Sequence, residues 1–170
     1  MHGVKIYKDQ SKRVIGLSRG TYLKNVLERF NTHNSKLIST PAKKNHHLCL
    51  KDCLQTAEVL QKMAHAPYSN TIGCLMYAML CTRPDISFAV KLLSHFQSNP
   101  GPSHWSAINR VLRYIRSTTD YVLCYGRSIL QLHEYTDVKY ARYLDKCKST
   151  SAYTFLLKGV ISGYSKSGGN

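Results

Sequence analysis

Apolar residues recur along this chain with two different periods, and the places where the period changes mark its elements. Val4-Lys5-Ile6-Tyr7 and Arg13-Val14-Ile15-Gly16-Leu17 are short β-prone runs on either side of the polar stretch Lys8-Asp9-Gln10-Ser11-Lys12, a pattern that predicts a basic hairpin with a five-residue loop. From Tyr22 the period lengthens: Tyr22, Leu23, Val26, Leu27 and Phe30 share one helical face, and Asn31 to Ser35 stops the pattern. Residues 35–56 have no period and include Pro41, so they read as an exposed connector. Three helices are expected next. Ile72, Leu75, Met76, Met79 and Leu80 have the spacing of a buried stripe, and Ile86, Ala89, Val90, Leu93 and Phe96 repeat it. Thr82-Arg83-Pro84-Asp85 opens the second of these, with Thr82 as the cap, proline in the first turn and Asp85 at the acidic position of a capping box. Asn99-Pro100-Gly101-Pro102 closes it, and Ser103 is the expected cap of a third helix with Trp105, Ile108, Leu112 and Ile115 facing inward.

After Thr119 the pattern turns to β, with strands expected at 121–125, 132–140, 153–157 and 160–162 as a meander. Residues 165–170 carry no hydrophobic side chain able to dock and are expected to fray. The fold class is therefore α+β: a hairpin, a helical bundle, then a sheet. Three segments follow from it: 1–66 with the hairpin, first helix and connector; 67–119 with three helices; and 120–170 with the later strands.

Composition narrows the function. With 43% hydrophobic residues the chain can build a core, and 24 Lys and Arg against 9 Asp and Glu give a formal charge of +15 that favours polyanionic partners, nucleic acid foremost. Asp9 and Glu28 are the only acids before residue 52, so the N-terminal third is the more electropositive. No run reaches the roughly 18 apolar residues of a membrane span, and Met1 to Lys5 lack the apolar run of a secretory signal, so the expected location is intracellular, cytoplasmic or nuclear, without a membrane partner. In that setting the six cysteines read as thiols.

Several constellations invite chemistry. Gly16-Leu17-Ser18-Arg19-Gly20 matches a hydrolase nucleophile elbow, but such an elbow needs earlier parallel strands to hold its strained turn, so Ser18 is read as a helix-entry residue. His46, His47, Cys49 and Cys53 gather zinc-type ligands in one loop, whereas structural zinc sites draw pairs from two separated turns, and an exposed loop is the expected reading. Arg110, Arg113 and Arg116 recur every three residues on the third predicted helix, a stripe able to track phosphates or simply to face solvent. Lys5, Lys12, Arg13 and Arg19 are the corresponding candidates around the hairpin. Asp137, in a predicted strand, is the most consequential carboxylate. Metal-assisted phosphodiester cleavage needs several carboxylates around two Mg²⁺ ions about 4 Å apart. Glu134 falls on the opposite strand face and Asp145 lies beyond the strand.

These segments resemble the Pol polyprotein of copia-type retrotransposons through almost the whole chain. Ile72-Gly73-Cys74-Leu75-Met76-Tyr77-Ala78-Met79-Leu80-Cys81-Thr82-Arg83-Pro84-Asp85-Ile86 is similar to the family's "GSLMYAMxCTRPDI". His104-Trp105, Val111-Leu112-Arg113-Tyr114-Ile115 and Ser117-Thr118-Thr119 echo "HWxAxxRVLRYLxGT". Gly3 to Ile6 and Ile15 to Ser18 resemble the stretch where the primer-contacting hairpin passes into the polymerase thumb. The resemblance implies that 67–119 is a thumb-like region and that 120–170 opens an RNase H-like sheet. It makes Asp137, within Tyr135-Thr136-Asp137, the counterpart of the first RNase H aspartate of "YTDADWAGDxxxRKSTSGY". Here Lys139 replaces the second aspartate, Arg142-Tyr143 replaces a Gly-Asp pair, and Ala152 and Gly163 stand where the family has glycine and tryptophan. No Asp-Asp pair occurs, and the family's other RNase H carboxylates lie beyond residue 170. The resemblance thus implies a truncated, degenerate and catalytically inactive piece with a vestigial Asp137, no functional metal and no cofactor, although intact relatives use Mg²⁺. Expected partners are RNA, DNA or an RNA–DNA hybrid, and other Pol chains. A protein-interaction module derived from Pol is the alternative.

Overall fold

The computed structural model describes residues 3–43, 48, 53, 61, 63 and 65–126, together with the backbone of strands at 132–143, 148–157 and 164–166. Its mixed α/β chain divides into two compact units. One comprises Met1–Gly3 and Arg19–Asp120, the other Val4–Ser18 and Tyr121–Asn170.

The helical unit contains α1 (Gly20–Arg29), α2 (Tyr68–Cys81), α3 (Ser87–Ser94) and α4 (Pro102–Ser117). α1 buries Leu23, Val26 and Leu27, as its period requires, and stops in a C-terminal motif. There Asn31 takes a left-handed φ of 51°, its N–H donates to the Glu28 carbonyl, and the Thr32 N–H donates to the Leu27 carbonyl, so the last turn's free carbonyls are satisfied. The hairpin-to-helix junction is different from the expected one. Ser18 is the last residue of a strand and Arg19, with no side-chain cap, precedes the helix.

α2 corrects the expected stripe. Its buried residues are Tyr68, Thr71, Ile72, Leu75 and Ala78, whereas Leu80 is 77% exposed and Met76 38%. The helix is apolar almost all round, so several faces satisfy the same spacing; the face chosen sets small Ala78 and Thr71 beside the larger side chains. Thr71 fits because its hydroxyl donates to the Pro67 carbonyl at 2.8 Å. α3 keeps its expected face, with Ile86, Ala89, Val90, Leu93 and Phe96 all buried.

Neither expected cap forms. Pro84–Ile86 is a 3₁₀ turn leading into α3, and the buried Thr82 hydroxyl has no hydrogen-bond partner. Ser103 is likewise not the cap of α4: Gly101 precedes the helix and its N–H donates to His104 Nδ1 at 2.9 Å. His104 is buried and stacks on Phe96, with ring centroids 4.1 Å apart. It takes the inward position expected of Trp105, which is only partly buried against the core. Ile108, Val111, Leu112 and Ile115 complete the inner face of α4.

Ser117, Thr118 and Thr119 close α4 with their hydroxyls, which donate to the Tyr114 carbonyl, the Tyr114 carbonyl and the Ile115 carbonyl at 2.8, 2.8 and 2.9 Å. Short polar side chains so placed satisfy helix-end carbonyls left without intrahelical donors.

The second unit contains β1 (Lys5–Asp9), β2 (Val14–Ser18), β3 (Tyr121–Gly126), β4 (Leu132–Tyr143), β5 (Lys148–Leu157) and β6 (Tyr164–Lys166). A four-stranded sheet has the order β1-β2-β3-β6, and β4 and β5 form a separate antiparallel pair. The hairpin loop is shorter than expected, because Asp9 pairs with Val14 and leaves Gln10–Arg13 as the turn. β6 overturns part of the frayed tail: Ser165 and Lys166 pair with Val122 and Tyr121. Backbone hydrogen bonds make that ladder, so it needs no apolar side chain to form. The strand expected at 160–162 lies outside the described residues.

Gly16 marks the tightest approach in this sheet. A Cβ at this position would lie 2.8 Å from Val122 Cγ1 and 3.5 Å from Tyr7 Cβ. Gly16→Val is therefore expected to cost about 1–3 kcal/mol through overpacking. Parallel urea denaturation of the two proteins checks it, and an unchanged midpoint would contradict the packing.

Candidate nucleic-acid interface

The hairpin presents its cations outward. Lys5 and Lys8 are exposed on β1, the outer strand, while Lys12 and Arg13 are exposed in the turn. Asp9 organises that turn, since its carboxylate accepts from the Ser11 hydroxyl at 2.6 Å and the Lys12 N–H at 3.1 Å. The Ser11 bond, followed by that from Lys12, holds the Asp9 carboxyl below its ordinary pKa. The Lys12 ammonium lies 3.9 Å from Asp9 with its side chain 78% exposed, so solvent screens the pair and leaves the cation available to another anion. Arg13 has φ 52°, a left-handed conformation that turns the chain into β2.

Lys8 pairs with Ile15, and Ile15 with Tyr125, so one cross-strand row carries a cation, an aliphatic side chain and an aromatic ring, all exposed. Sequence reasoning assigned Lys8 to the loop and missed this row. The available signal was alternation continuing past Tyr7, but β3 could not be aligned with β2 from the sequence.

The remaining candidate arginines are less free than those of the hairpin turn. Arg19 lies over the Tyr77 ring at 4.5 Å and the Tyr22 ring at 6.0 Å, and its Nε and Nη1 are buried without hydrogen-bond partners. Burial raises the Tyr22 hydroxyl's pKa well above the usual tyrosine value, and that hydroxyl donates to the Cys74 carbonyl. On α4, Arg110 Nη2 donates to Thr40 Oγ1 at 2.8 Å and Arg113 Nε to the Lys36 carbonyl at 2.7 Å. Ser117 Oγ donates to the Ile38 carbonyl at 2.6 Å. Two of the three stripe arginines thus fasten the connector to α4. Arg116, half-buried, occupies the last turn, where a cation is favoured by the helix dipole.

Arg83 was expected only as part of a capping sequence. Instead it is fully buried: Nε and Nη2 donate to the two Asp85 oxygens at 3.0 and 2.8 Å, Nη2 also to Thr118 Oγ1 at 2.6 Å, and Nη1 to the Thr118 carbonyl at 3.2 Å. The Tyr114 ring lies 5.5 Å from its Cζ. Burial, then the hydrogen bond and charge of Asp85, push the Tyr114 pKa up to about 12. Burial raises Tyr68 too, whose hydroxyl donates to the Leu93 carbonyl. These shifts favour the neutral phenols in the folded state, so their stabilisation is present below the ordinary value of 10.0 and lost as pH rises toward about 12. The denaturant midpoint should fall over that range, and a midpoint constant to pH 12 would contradict the buried placement.

Asp137 lies on β4 opposite Ala152, with Lys139 opposite Thr150. With Lys139 standing where the resembled motif has its second aspartate, the donor chemistry of this segment does not match a two-ion carboxylate centre. His46, His47 and Cys49 lie outside the described residues. Among the described ones no three His, Cys, Asp or Glu residues gather as metal ligands, and no helix is long and apolar enough to cross a membrane.

No family model and no solved structure matches the chain. It is 46% identical over 165 residues, 96% of its length, to a retrovirus-related Pol polyprotein from transposon TNT 1-94 of Nicotiana tabacum. It is 32% identical over 152 residues, 87% of its length, to one from transposon RE2 of Arabidopsis thaliana. A third relative, secreted RxLR effector protein 161 of Plasmopara viticola, is 44% identical over 98 residues, covering 57% of this chain and 69% of that protein. Over nearly its whole length the chain is related to a segment of the retrovirus-related Pol polyproteins of plant transposons. It spans 12% and 10% of the length of the two Pol polyproteins.

Proposed function

We propose that this chain is a non-catalytic, nucleic-acid-binding part of a copia-type Pol, joining a thumb-like helical region to the opening strands of an RNase H-like sheet. The observation that carries the reading is the hairpin, where Lys5, Lys8, Lys12 and Arg13 are exposed and Lys8 extends the exposed Ile15–Tyr125 row. Cations meet phosphates, and the exposed apolar row offers a surface for a sugar or base. An RNA–DNA hybrid is the expected ligand because Pol relatives are the source of the resemblance. Inactivity is supported by the absence of an Asp-Asp pair from the sequence and by Lys139 standing where the resembled motif has its second aspartate. Incubating the chain with labelled hybrid and Mg²⁺ is expected to give a shifted but uncut strand; cleavage that disappears in Asp137→Asn would refute inactivity.

A second reading has its own support. β1 is the outermost strand of the described sheet, and an open edge is able to pair with a strand of another Pol chain. Edge pairing rests on backbone hydrogen bonds and resists salt, whereas phosphate-led binding weakens steeply with it.

A further inference from the structure

We propose that Thr40 is a phosphoacceptor whose phosphate is received by Arg110, fastening the connector to α4. Thr40 is exposed, and its hydroxyl already lies 2.8 Å from Arg110 Nη2. The same guanidinium has a buried Nε without a partner, so half of its fork is unused. A threonine hydroxyl occupies one donor, while a phosphate offers three strong acceptor oxygens and close to two negative charges. Tilting the guanidinium toward that larger group makes both edge nitrogens available for a bidentate, charge-assisted pair.

The surroundings suit an anion. Arg113 is bonded four residues before Thr40, at the Lys36 carbonyl, and Lys36 and Lys43 are exposed in the same segment. Pro41 restricts Thr40 to an extended backbone, the form in which a substrate segment enters a kinase groove. Only three side-chain hydrogen bonds, from Arg110, Arg113 and Ser117, tie residues 36–40 to α4 among those described, and Leu37 between them is 55% exposed. One added charge-assisted pair therefore changes this tether substantially.

The donor is a nucleoside triphosphate and the catalyst a proline-directed protein kinase. Thr40 Oγ attacks the γ-phosphorus, the new O–P bond forms as the bond to the β-bridging oxygen breaks, the diphosphate leaves with that electron pair, and the hydroxyl proton passes to the kinase's base. No oxidant or reductant is involved. The consequence is a connector held on the arginine face by charge.

The test treats the full chain, Thr40→Val and Arg110→Gln with a proline-directed kinase and ATP, maps the phosphate by mass spectrometry and compares thermal unfolding before and after. Phosphate is expected at Thr40 in the full chain and in Arg110→Gln, and at no corresponding site in Thr40→Val. The thermal midpoint is expected to rise by roughly 3–6 °C in the full chain alone. Labelling that leaves Thr40 unmodified would overturn the proposal. So would a modified Thr40 without a midpoint rise, or with an equal rise in Arg110→Gln. Because none of these readouts involves nucleic acid, failure of the proposed binding function is a separate result.

Discussion

Arg83→Ala lowers the stability of the helical unit by about 3–5 kcal/mol, the range expected when one member of a buried ion pair is removed. Arg83 is 0% exposed, and its four hydrogen bonds link the start of α3 to the end of α4 through Asp85 and Thr118. Without it, Asp85 loses the cation that faces both its oxygens, and Thr118 loses two donors. Domains are typically stable by only about 5–15 kcal/mol, so this one substitution removes a large part of the total. Arg83→Lys does not rescue it, because an ammonium lacks the planar fork that serves Asp85 and Thr118 together. Urea unfolding followed by helical circular dichroism measures the loss. A change below about 1 kcal/mol would place Arg83 among screened surface ions and contradict its burial.

The ion pair also explains the local sequence. Pro84 starts the 3₁₀ turn and Asp85 lies two residues beyond Arg83, close enough to receive both edge nitrogens. Thr118, far along the chain, supplies the remaining acceptors. Spacing alone made Thr82 and Asp85 look like caps, because capping motifs are local and the partner of Arg83 is not.

The same contrast between local and distant partners runs through the molecule. α1 and α3 were legible because one polar face and one apolar face alternate at the helical period. α2 was legible as a helix but not in its buried face, since Met76 and Leu80 are as apolar as Ile72 and Leu75, and only the tertiary arrangement distinguishes them. The hairpin was legible, yet its pairing with Tyr121–Gly126 joins strands from opposite ends of the sequence, and no local signal fixes that register. The arginine stripe was visible from its spacing, but the connector bonded to Arg110 and Arg113 has no period from which its position could be read. Motif resemblance supplied what periodicity could not, the family, while the placement of each cation came from the fold.

The second large effect concerns the hairpin. Lys5, Lys12 and Arg13 are exposed, and among the described residues their one ion pair is the screened contact of Lys12 with Asp9, so together they represent three phosphate contacts. Each neutralised phosphate contributes about 0.9 to the slope of log K against log salt on duplex DNA, and somewhat less on flexible strands. The triple variant Lys5→Ala, Lys12→Ala, Arg13→Ala is therefore expected to lose roughly a hundredfold in affinity at about 0.1 M salt, with little effect near 1 M. The matched variant Arg110→Ala, Arg113→Ala is expected to change affinity less than tenfold, because both guanidinium groups already serve Thr40 and Lys36.

The most direct measurement of nucleic-acid binding is a fluorescence titration of a labelled RNA–DNA hybrid with the parent chain and the hairpin triple variant across a salt series. The account predicts a parent slope of roughly −3 to −4 that falls in magnitude by two to three when the three cations are removed. Parent and variant lines that coincide, or parent binding indifferent to salt, would contradict a phosphate-led interface on this hairpin.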